Sequence, residues 1–593
     1  MGILLVAAPA RAAETITGTS GTVTSLRVSG ATTYRTVTRP AVTRTVTAAA
    51  SSTPVLVTDL DRPPAGYRLT ATEVRRIAAG DPRARAELDR HPRAIPYEYT
   101  KGPGQWQVSW FADTKPEKEL LQVYVADATG QVSEAWTGYQ VAWSMARGYA
   151  GAFGRRVNAW YLWLALCIVF VAPFVSFKRR PTLLHLDLLM LLGFSISLAL
   201  FNHGEIGLSV PLLYPFLVYL LVRLTLLAFG RGIPREPLHT IVSARWLGVG
   251  IIFLLAFRIG LNVLNSNVID VGYAGVIGAD KLIHGVALYG HWPKDNLYGD
   301  TYGPVAYYLY VPFRLIFGWS GRWDGLPAAH AASIFFDLVT CAGLFALGRR
   351  IRDGRLGIVL AYVWLAYPFS LYAMNSNTND SLVAALVVLA LLSLQAPATR
   401  GVMTALAGLT KFAPFVLAPL MLRGDDARPP RSLRPAARPA RAHRLRFTAG
   451  FAIALVLCAL PVLAGGDTAA FWHDSIVYQA DRPAPFSIWG LWGGLAIVQH
   501  ALQGVVVALA LAVYFLPRRR GPVQVAALAG ALIIALQLTV TYWLYPYLVW
   551  FAPMVIVAVF ASHPATRRDA PLRPHDRRLP AHGDPIPVSI ETG

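Results

Sequence analysis

The sequence has few cysteines and few charged residues. Three of its 593 residues are cysteine, Cys167, Cys341 and Cys458, and all three fall within apolar runs. We therefore predict no disulfide in an exported part of the chain, and the lack of CxxC pairs excludes the usual zinc spacing. Charged residues make up 15% of the chain and hydrophobic residues 54%. A bilayer accommodates that balance better than water does.

The motifs that reveal cofactors and catalytic centres by spacing are also missing. The sequence has no HExxH, no Walker loop, no GxSxG and no dinucleotide fingerprint. We therefore predict neither a metal nor a cofactor. The net charge of +21 is divided into blocks between apolar runs, so we predict no nucleic-acid partner and attribute the charge to membrane topology.

What the sequence does have is a series of apolar runs from about residue 159 to 561, each long enough to cross a hydrocarbon core of ~30 Å. We predict 12 to 13 spans. They lie at about 159–177, 183–201, 209–228, 245–264, 328–347, 357–374, 380–395, 447–464, 495–516, 521–539 and 545–561, and a pair of half-length helices broken near Lys411 to Pro414 fills 401–421. The basic connectors at 178–180, 231–235, 349–355, 423–446 and 518–520 should be cytoplasmic. This places loop 265–327 outside a plasma membrane and the C-terminal tail inside.

The fold class is therefore mostly α and polytopic, with a small exported α+β domain at the N-terminus. Thr70 or Thr72 can cap a first helix, Asp81 followed by Pro82 begins a second, and residues 105–111 and 120–127 alternate like strands. This order resembles PepSY-like or cystatin-like domains, which implies an accessory or docking role with an envelope partner. The predicted segments are a signal-peptide remnant at 1–13, a Thr-rich stalk or loose edge strand at 14–64, the exported domain with an interfacial lead-in at 65–154, accessory helices at 155–244, a catalytic module at 245–561 and a disordered basic tail at 562–593.

Two acids in loop 265–327 are candidates for a catalytic base. Asp270 follows a predicted span by about one helical turn, where a carboxylate is partly desolvated but reachable from outside. The alternative reading is a solvated loop acid or a helix cap. Asp300 is the runner-up, although GDTYGP is also an ordinary turn sequence.

Polar residues near or within the spans are candidates for binding groups. Asn375, Asn379 and Asp380 form a dense set of hydrogen-bonding groups suited to sugar or acceptor hydroxyls. The alternative for Asn379 or Asp380 is a helix cap. Lys411 and Arg258 lie in apolar runs and need partners. A donor phosphate is one such partner. For Lys411 the alternative is snorkelling, and for Arg258 it is a structural pair with Asp337.

The order of these features resembles the GT-C superfamily of integral-membrane glycosyltransferases. The features are an Arg-bearing span, an outer loop that opens on Asp270, a Gly–Tyr-rich stretch ending in YGP at 302–304, Asn379–Asp380 before an apolar helix, and GLTKFAPFVLAPLML at 408–422. The chain is most similar to the polyprenyl-phosphate-mannose-dependent family 87 branch. The resemblance implies that the carboxylate of Asp270 is the catalytic base and that Lys411 and Arg258 bind the donor phosphate. It also implies sugar or acceptor binding by Asn375, Asn379, Asp380 and Tyr302.

These observations predict a plasma-membrane hexosyltransferase with an inverting mechanism. The resemblance implies a polyprenyl-phosphate sugar donor, with mannose as the sugar, and a glycolipid or glycan acceptor in the cell envelope. The alternatives are a transporter or flippase for lipid-linked sugars, which two matching broken spans would favour, and a non-catalytic envelope scaffold. The sequence shows one broken span, at 401–421.

Overall fold

The computed structural model describes residues 26–28, 31–33, 54–115, 117–149, 151, 153–425, 440–482 and 484–565. The predicted signal remnant, most of the stalk, most of the arginine-rich connector and nearly all of the basic tail lie outside these residues. The chain forms two compact units, Met1–Arg147 and Gly148–Gly593.

The first unit contains an antiparallel five-stranded meander, and neighbouring strands follow one another in the chain. The strands are β3 (Val55–Leu56), β4 (Ile95–Thr100), β5 (Gln105–Phe111), β6 (Glu119–Ala126) and β7 (Gln131–Thr137). A separate two-stranded ladder joins β1 (Leu26–Val28) and β2 (Ala31–Thr33). β3 lies in the segment that the sequence favoured as a stalk or loose edge strand, and it forms the edge of the sheet.

Two helices cover one face of this sheet. α1 (Ala71–Ala79) has Thr70 as its cap, in a capping box with Glu73, and α2 (Pro82–Arg90) has Asp81 as its cap. Val74 of α1 belongs to the same apolar core as Trp106 and Val123 of the sheet. The α+β fold predicted from helix caps and strand alternation is thus confirmed. α3 (Tyr139–Ala142) and a 3-10 helix at Ser144–Arg147 end the described regular structure of this unit.

The second unit is helical. Its first half contains α4 (Trp160–Val171), α5 (Leu183–Asn202), α6 (Ile206–Ala228), α7 (Ala244–Leu264), α8 (Asp270–Ile283), α9 (Val305–Tyr308), α10 (Val311–Phe317), α11 (Pro327–Ile351) and α12 (Gly354–Ala366). Its second half contains α13 (Pro368–Asn375), α14 (Asp380–Leu392), α15 (Pro397–Lys411), α16 (Ala418–Arg423), α17 (Ala440–Gly465), α18 (Thr468–Trp472), α19 (Tyr478–Asp481), α20 (Ile488–Leu491), α21 (Ala496–Ala512), α22 (Pro522–Gln537) and α23 (Leu548–Ala561). α22 packs against both α6 and α23, and α11 against α12 and α14.

The helices that can cross a membrane are fewer than the predicted 12 to 13 spans. Among the described residues, five helices are long and apolar enough by themselves, or up to six if one bent pair counts as a span. Several predicted spans form shorter apolar helices instead, for example at 380–392, 496–512 and 522–537. Apolar composition alone does not reveal where a helix ends. Some predicted spans therefore include both a helix and the turn that follows it.

Two helical breaks shape the interior of this unit. Between α12 and α13 the axis bends by 58° at Tyr367, because the residue before Pro368 is disfavoured in a helix. The apolar run at 357–374 predicts one continuous span, and the structure divides it at this break. The predicted break near Lys411 to Pro414 is confirmed: α15 ends at Lys411, and Phe412 has φ 20° before a short 3-10 turn at Ala413–Leu417.

Candidate active site

The first residue of α8 is Asp270, and its position is fixed by the segment after α13. The backbone amide of Ile269 donates to Ser376 O at 3.3 Å, and the Asn377 side chain donates to Asn267 O at 2.9 Å. At Gly272 an added Cβ would lie 2.1 Å from Asn377 O, so only glycine lets the two segments approach this closely. These contacts hold the start of α8 against residues 375–377.

Asp270 is solvent-accessible but surrounded by charged groups. Desolvation by the cleft walls raises its pKa, and a hydrogen bond from the Val271 amide and the positive charges of Arg482 and Lys411 oppose that rise. The negative charge of Asp270 in turn adds to the burial that raises the pKa of Tyr302. A reachable carboxylate whose pKa is raised has the properties of a general base.

Lys411 lies opposite this acid, at the broken end of α15. Its Nζ donates to Asp380 Oδ1 at 2.6 Å, and Trp550 Nε1 donates to the same oxygen at 2.8 Å. The ring centroids of Tyr302, Tyr547 and Trp550 lie 5.3 to 5.4 Å from the ammonium. One carboxylate and three aromatic faces therefore hold this cation in a partly apolar environment.

The YGP element approaches the end of α15 directly. The Gly303 amide donates to Thr410 O at 3.2 Å, and a Cβ at this glycine would lie 2.0 Å from Leu409 O. This contact places Tyr302 against Lys411 and explains why a glycine precedes Pro304.

A cavity of about 270 Å³ opens beside Lys411. Aromatic rings, amide side chains and short polar side chains form its walls, a mixture that suits an amphipathic ligand such as a sugar. The lining residues are Thr301, Tyr302, Lys411, Phe412, Ala413, Gln479, Gln503, Leu536, Gln537, Val540, Thr541, Tyr542, Tyr547 and Trp550.

Arg482 is a second cation at this site, and the sequence analysis missed it. Its guanidinium lies 4.2 Å from the Tyr542 ring centroid and 5.5 Å from that of Tyr478, and it interacts electrostatically with Asp270. The residue lies between Asp481 and Pro483, just after α19. An arginine in a polar loop is unremarkable in sequence, so only the fold reveals its position near Asp270.

The structure does not bring Arg258 to this cavity. Its side chain is fully buried and donates to Asp337 Oδ1 at 2.7 Å and to Leu365 O at 2.9 Å. The latter carbonyl lies just before the break between α12 and α13, so this arginine stabilises the bend. The structural pairing with Asp337, which the sequence left open, is the arrangement observed.

Asp300 has neither Lys411 nor Arg482 among its charged neighbours. It is buried and accepts a hydrogen bond from the Gly290 amide at 2.9 Å, and Asp474 and Lys281 are its charged neighbours. Burial raises its pKa, with a further contribution from Asp474. The carboxylate braces the loop after α8, which favours Asp270 over Asp300 as the base.

The predicted sugar-binding amides lie between the end of α13 and the start of α14. Asn375 and Asn379 are buried, and their side-chain amides have no hydrogen-bond partner among the described residues. Neither lines the cavity, whereas Tyr302 does. Asp380 is the first residue of α14 and accepts hydrogen bonds from Lys411 and Trp550. Its observed role is therefore to hold the cation in place.

Apolar helices, a cavity lined by Lys411, and an accessible acid that interacts electrostatically with Lys411 and Arg482 define a multi-pass membrane protein with an enzyme-like site. Residues 301–541 match the model of glycosyltransferase family 87. The family resemblance predicted from the sequence is thus confirmed for residues 301–541. Lys411, Asp380, Arg482 and Tyr302 lie within the match, and Asp270 precedes it.

Comparison with solved structures finds similarity to ArnT from Cupriavidus metallidurans, in a crystal structure bound to undecaprenyl phosphate. The sequence identity is 16% and the TM-score 0.37, and the similarity covers 54% of this chain and 60% of that chain. The chain thus matches less than two thirds of ArnT. Comparison with curated proteins gives no match.

Proposed function

We propose that this protein is a membrane glycosyltransferase that moves a hexose, mannose, from a polyprenyl-phosphate donor to a glycolipid or glycan acceptor on the extracytoplasmic side, with inversion. The observation that carries the proposal is the accessible Asp270 beside two cations, Lys411 and Arg482. The choice of donor and sugar rests on the family resemblance. The proposed topology places the N-terminal domain, as a docking module for an envelope partner, outside and the C-terminal tail inside.

The charges of the site suit departure of a lipid phosphate. Lys411 and Arg482 balance Asp270 and Asp380 before reaction. When Asp270 takes the proton of the acceptor hydroxyl, the acceptor oxygen bonds to the anomeric carbon. The bond from that carbon to the phosphate oxygen breaks, and its electron pair stays on the lipid phosphate. The site then has one net positive charge, next to the group where negative charge has grown.

The geometry supports inversion because one carboxylate is accessible and the neighbouring one is engaged. Asp380 is 1% exposed and holds Lys411 and Trp550 through one oxygen. A double displacement would need a second carboxylate as a nucleophile. A single base acting on the acceptor requires attack from the face opposite the phosphate.

The test uses membranes that contain the full-length chain, incubated with labelled polyprenyl-phosphate mannose. Covalent label on a new acceptor is the expected result, and Asp270→Asn should reduce it by about 10²- to 10⁴-fold, the usual contribution of a general base. The matched control is Asp295→Asn, an exposed acid of the same loop, which should transfer normally. Full transfer by Asp270→Asn, or transfer from other hexose donors and not from mannose, would contradict the proposal.

The same variant gives a stability control with a definite sign. Because the folded protein raises the pKa of Asp270, the ionised carboxylate costs stability at neutral pH. That cost shrinks as pH falls through the raised pKa and is gone below the ordinary, unfolded-state pKa. Asp270→Asn should therefore have an unchanged or higher Tm at pH 7. Inactivity together with a lower Tm would point to damage of the fold.

The transporter alternative gains one observation from the structure. The bend between α12 and α13 is a second broken helix in addition to the one at Lys411, and paired broken helices are typical of transporters. Movement of labelled donor across vesicles without covalent transfer would favour this alternative. The absence of both movement and transfer would favour a scaffold.

A further inference from the structure

A second cavity, of about 630 Å³, lies at the other end of α23 from the candidate active site. At 1.5 Å per residue the helix separates Trp550 from Ala561 by about 17 Å. Beyond Ala561, His563 forms part of the cavity wall together with the connectors before α5 and before α7. Most of these residues precede or follow the region that matches the family model.

The cavity has a strongly positive rim. Arg179, Arg180 and Arg235 line it with a single acid, Glu236. All three arginines are exposed, and none of the ion pairs within the described residues involves them. Three guanidinium groups around one concavity suit a phosphate, which arginine can bind through two parallel hydrogen bonds.

His563 supplies a buried group without a partner. The side chain is 8% exposed, its Nδ1 bonds to Glu236 O at 3.1 Å, and its Nε2 has no hydrogen-bond partner among the described residues. A carbonyl can only accept, so Nδ1 carries the hydrogen. Burial lowers the pKa of His563, and Arg352 and Arg223 reduce the charged form further. The neutral ring therefore presents Nε2 as an acceptor, and the ligand must offer a donor.

Apolar residues complete the cavity at the membrane boundary. Phe174, Leu183 and Leu184 line it, and Leu183 is also the first residue of a helix that can span a membrane. Next to the cavity, the Phe177 side chain is fully exposed. A free phosphate would leave this apolar surface in water, whereas the acyl chains of a lipid would cover it.

We propose that this cavity binds the headgroup of an anionic phospholipid that carries a hydroxyl group, as in phosphatidylglycerol. The arginines hold the phosphate, and a headgroup hydroxyl donates to His563 Nε2. An ammonium headgroup fits less well, because it would face three positive charges. Basic pockets between membrane helices are known binding places for anionic headgroups. The proposal is independent of the transfer reaction.

The experiment measures lipid binding to the purified full-length protein in detergent, by native mass spectrometry and by thermal shift. The probes are phosphatidylglycerol, phosphatidylmethanol, which has the same charge and lacks the hydroxyls, phosphatidylcholine, and glycerol 3-phosphate as a free anion. We expect saturable binding of phosphatidylglycerol, with phosphatidylmethanol several-fold weaker and no competition from glycerol 3-phosphate.

Two variants and a matched control test the assignment. Arg179→Gln/Arg235→Gln should weaken phosphatidylglycerol binding by about tenfold or more, whereas Arg518→Gln/Arg519→Gln, which removes two exposed arginines elsewhere, should not. His563→Phe should abolish the preference for phosphatidylglycerol over phosphatidylmethanol. Elution as the wild-type monodisperse species shows that a variant is folded.

Equal binding by the wild type and the arginine variant would overturn the site. An unchanged lipid preference in His563→Phe would overturn the role of the hydroxyl, and full competition by glycerol 3-phosphate would show a free-anion site instead of a lipid site.

Discussion

Two buried ion pairs of the second unit have nearly the same hydrogen bonds in different surroundings. In the first, which we call the closed trio, Arg258 donates to Asp337 Oδ1 at 2.7 Å and Trp364 Nε1 donates to the same oxygen at 3.1 Å. The arginine is 0% exposed and also holds Leu365 O. Its charge is therefore paired within the helix bundle.

The second arrangement, the open trio, consists of Lys411, Asp380 and Trp550. Nζ and Nε1 again converge on one carboxylate oxygen, at 2.6 and 2.8 Å. Lys411 lines the cavity and interacts electrostatically with Asp270. A cation, an acid and a tryptophan can therefore form a structural clamp or part of a reaction site, and the difference is whether a cavity reaches the cation.

The largest effect is expected from breaking the closed trio. Arg258→Leu leaves Asp337 buried without its partner, which typically costs about 3–5 kcal/mol, so the amount of folded protein in detergent should fall sharply. The double variant Arg258→Leu/Asp337→Leu should recover folding, because it removes both charges, and should transfer sugar at the wild-type rate per folded molecule. A recovered fold without transfer would show that Arg258 belongs to the active site.

Breaking the open trio should affect the reaction more than the fold. Lys411→Met removes the cation beside the departing phosphate, and transfer should fall by about 10²- to 10³-fold, as on loss of one electrostatic stabiliser. Asp380→Asn added to this variant should restore stability, measured as Tm, and leave transfer low. Recovery of transfer in the double variant would contradict the claim that the open trio acts in the reaction and the closed trio does not.

A smaller effect is expected at Arg482. Arg482→Gln removes a charged contact to the phosphate, worth about 1.5–3 kcal/mol, so kcat/KM for the lipid donor should fall by roughly 10- to 100-fold. Arg314→Gln is the control, since this arginine pairs with Asp280 at 2.7 Å and should leave kcat/KM unchanged. Equal effects of the two variants would exclude a specific role for Arg482.

The two tryptophans give the smallest and most closely matched comparison. Each Trp→Phe change removes one hydrogen bond to a carboxylate, worth about 1.5 kcal/mol at the low end for charged acceptors. Trp550→Phe should lower transfer up to about tenfold, and Trp364→Phe should lower Tm by a few degrees without changing transfer per folded molecule. If the two variants behave alike in both assays, the open and closed trios have the same role.

Arg258 and Lys411 show how much of the site can be predicted from the sequence. It identified Arg258 and Lys411 as costly charges within apolar runs and left a structural pair open for the first. Which of the two reaches a cavity depends on long-range packing, for instance of Ser370, which accepts from Arg258 at 3.1 Å. Local patterns contain no such information.

The fold shows the same limit. Caps at Thr70 and Asp81, strand alternation at 105–111 and the break near Lys411 follow from local chemistry, and the structure agrees. The bend before Pro368 had a local signal that the continuous apolar run concealed. Arg482 had none, because only the folded loop brings it near Asp270.

The central claim is that Asp270, ionised and partly desolvated beside the cations, takes the proton of the acceptor. The most direct test is kcat/KM against pH, since a phosphodiester donor has no proton to lose in the range where a carboxyl group titrates. The raised pKa of Asp270 predicts an acid limb with its midpoint above the ordinary aspartate value of about 4, absent from the residual activity of Asp270→Asn. An identical acid limb in wild type and Asp270→Asn would contradict the account.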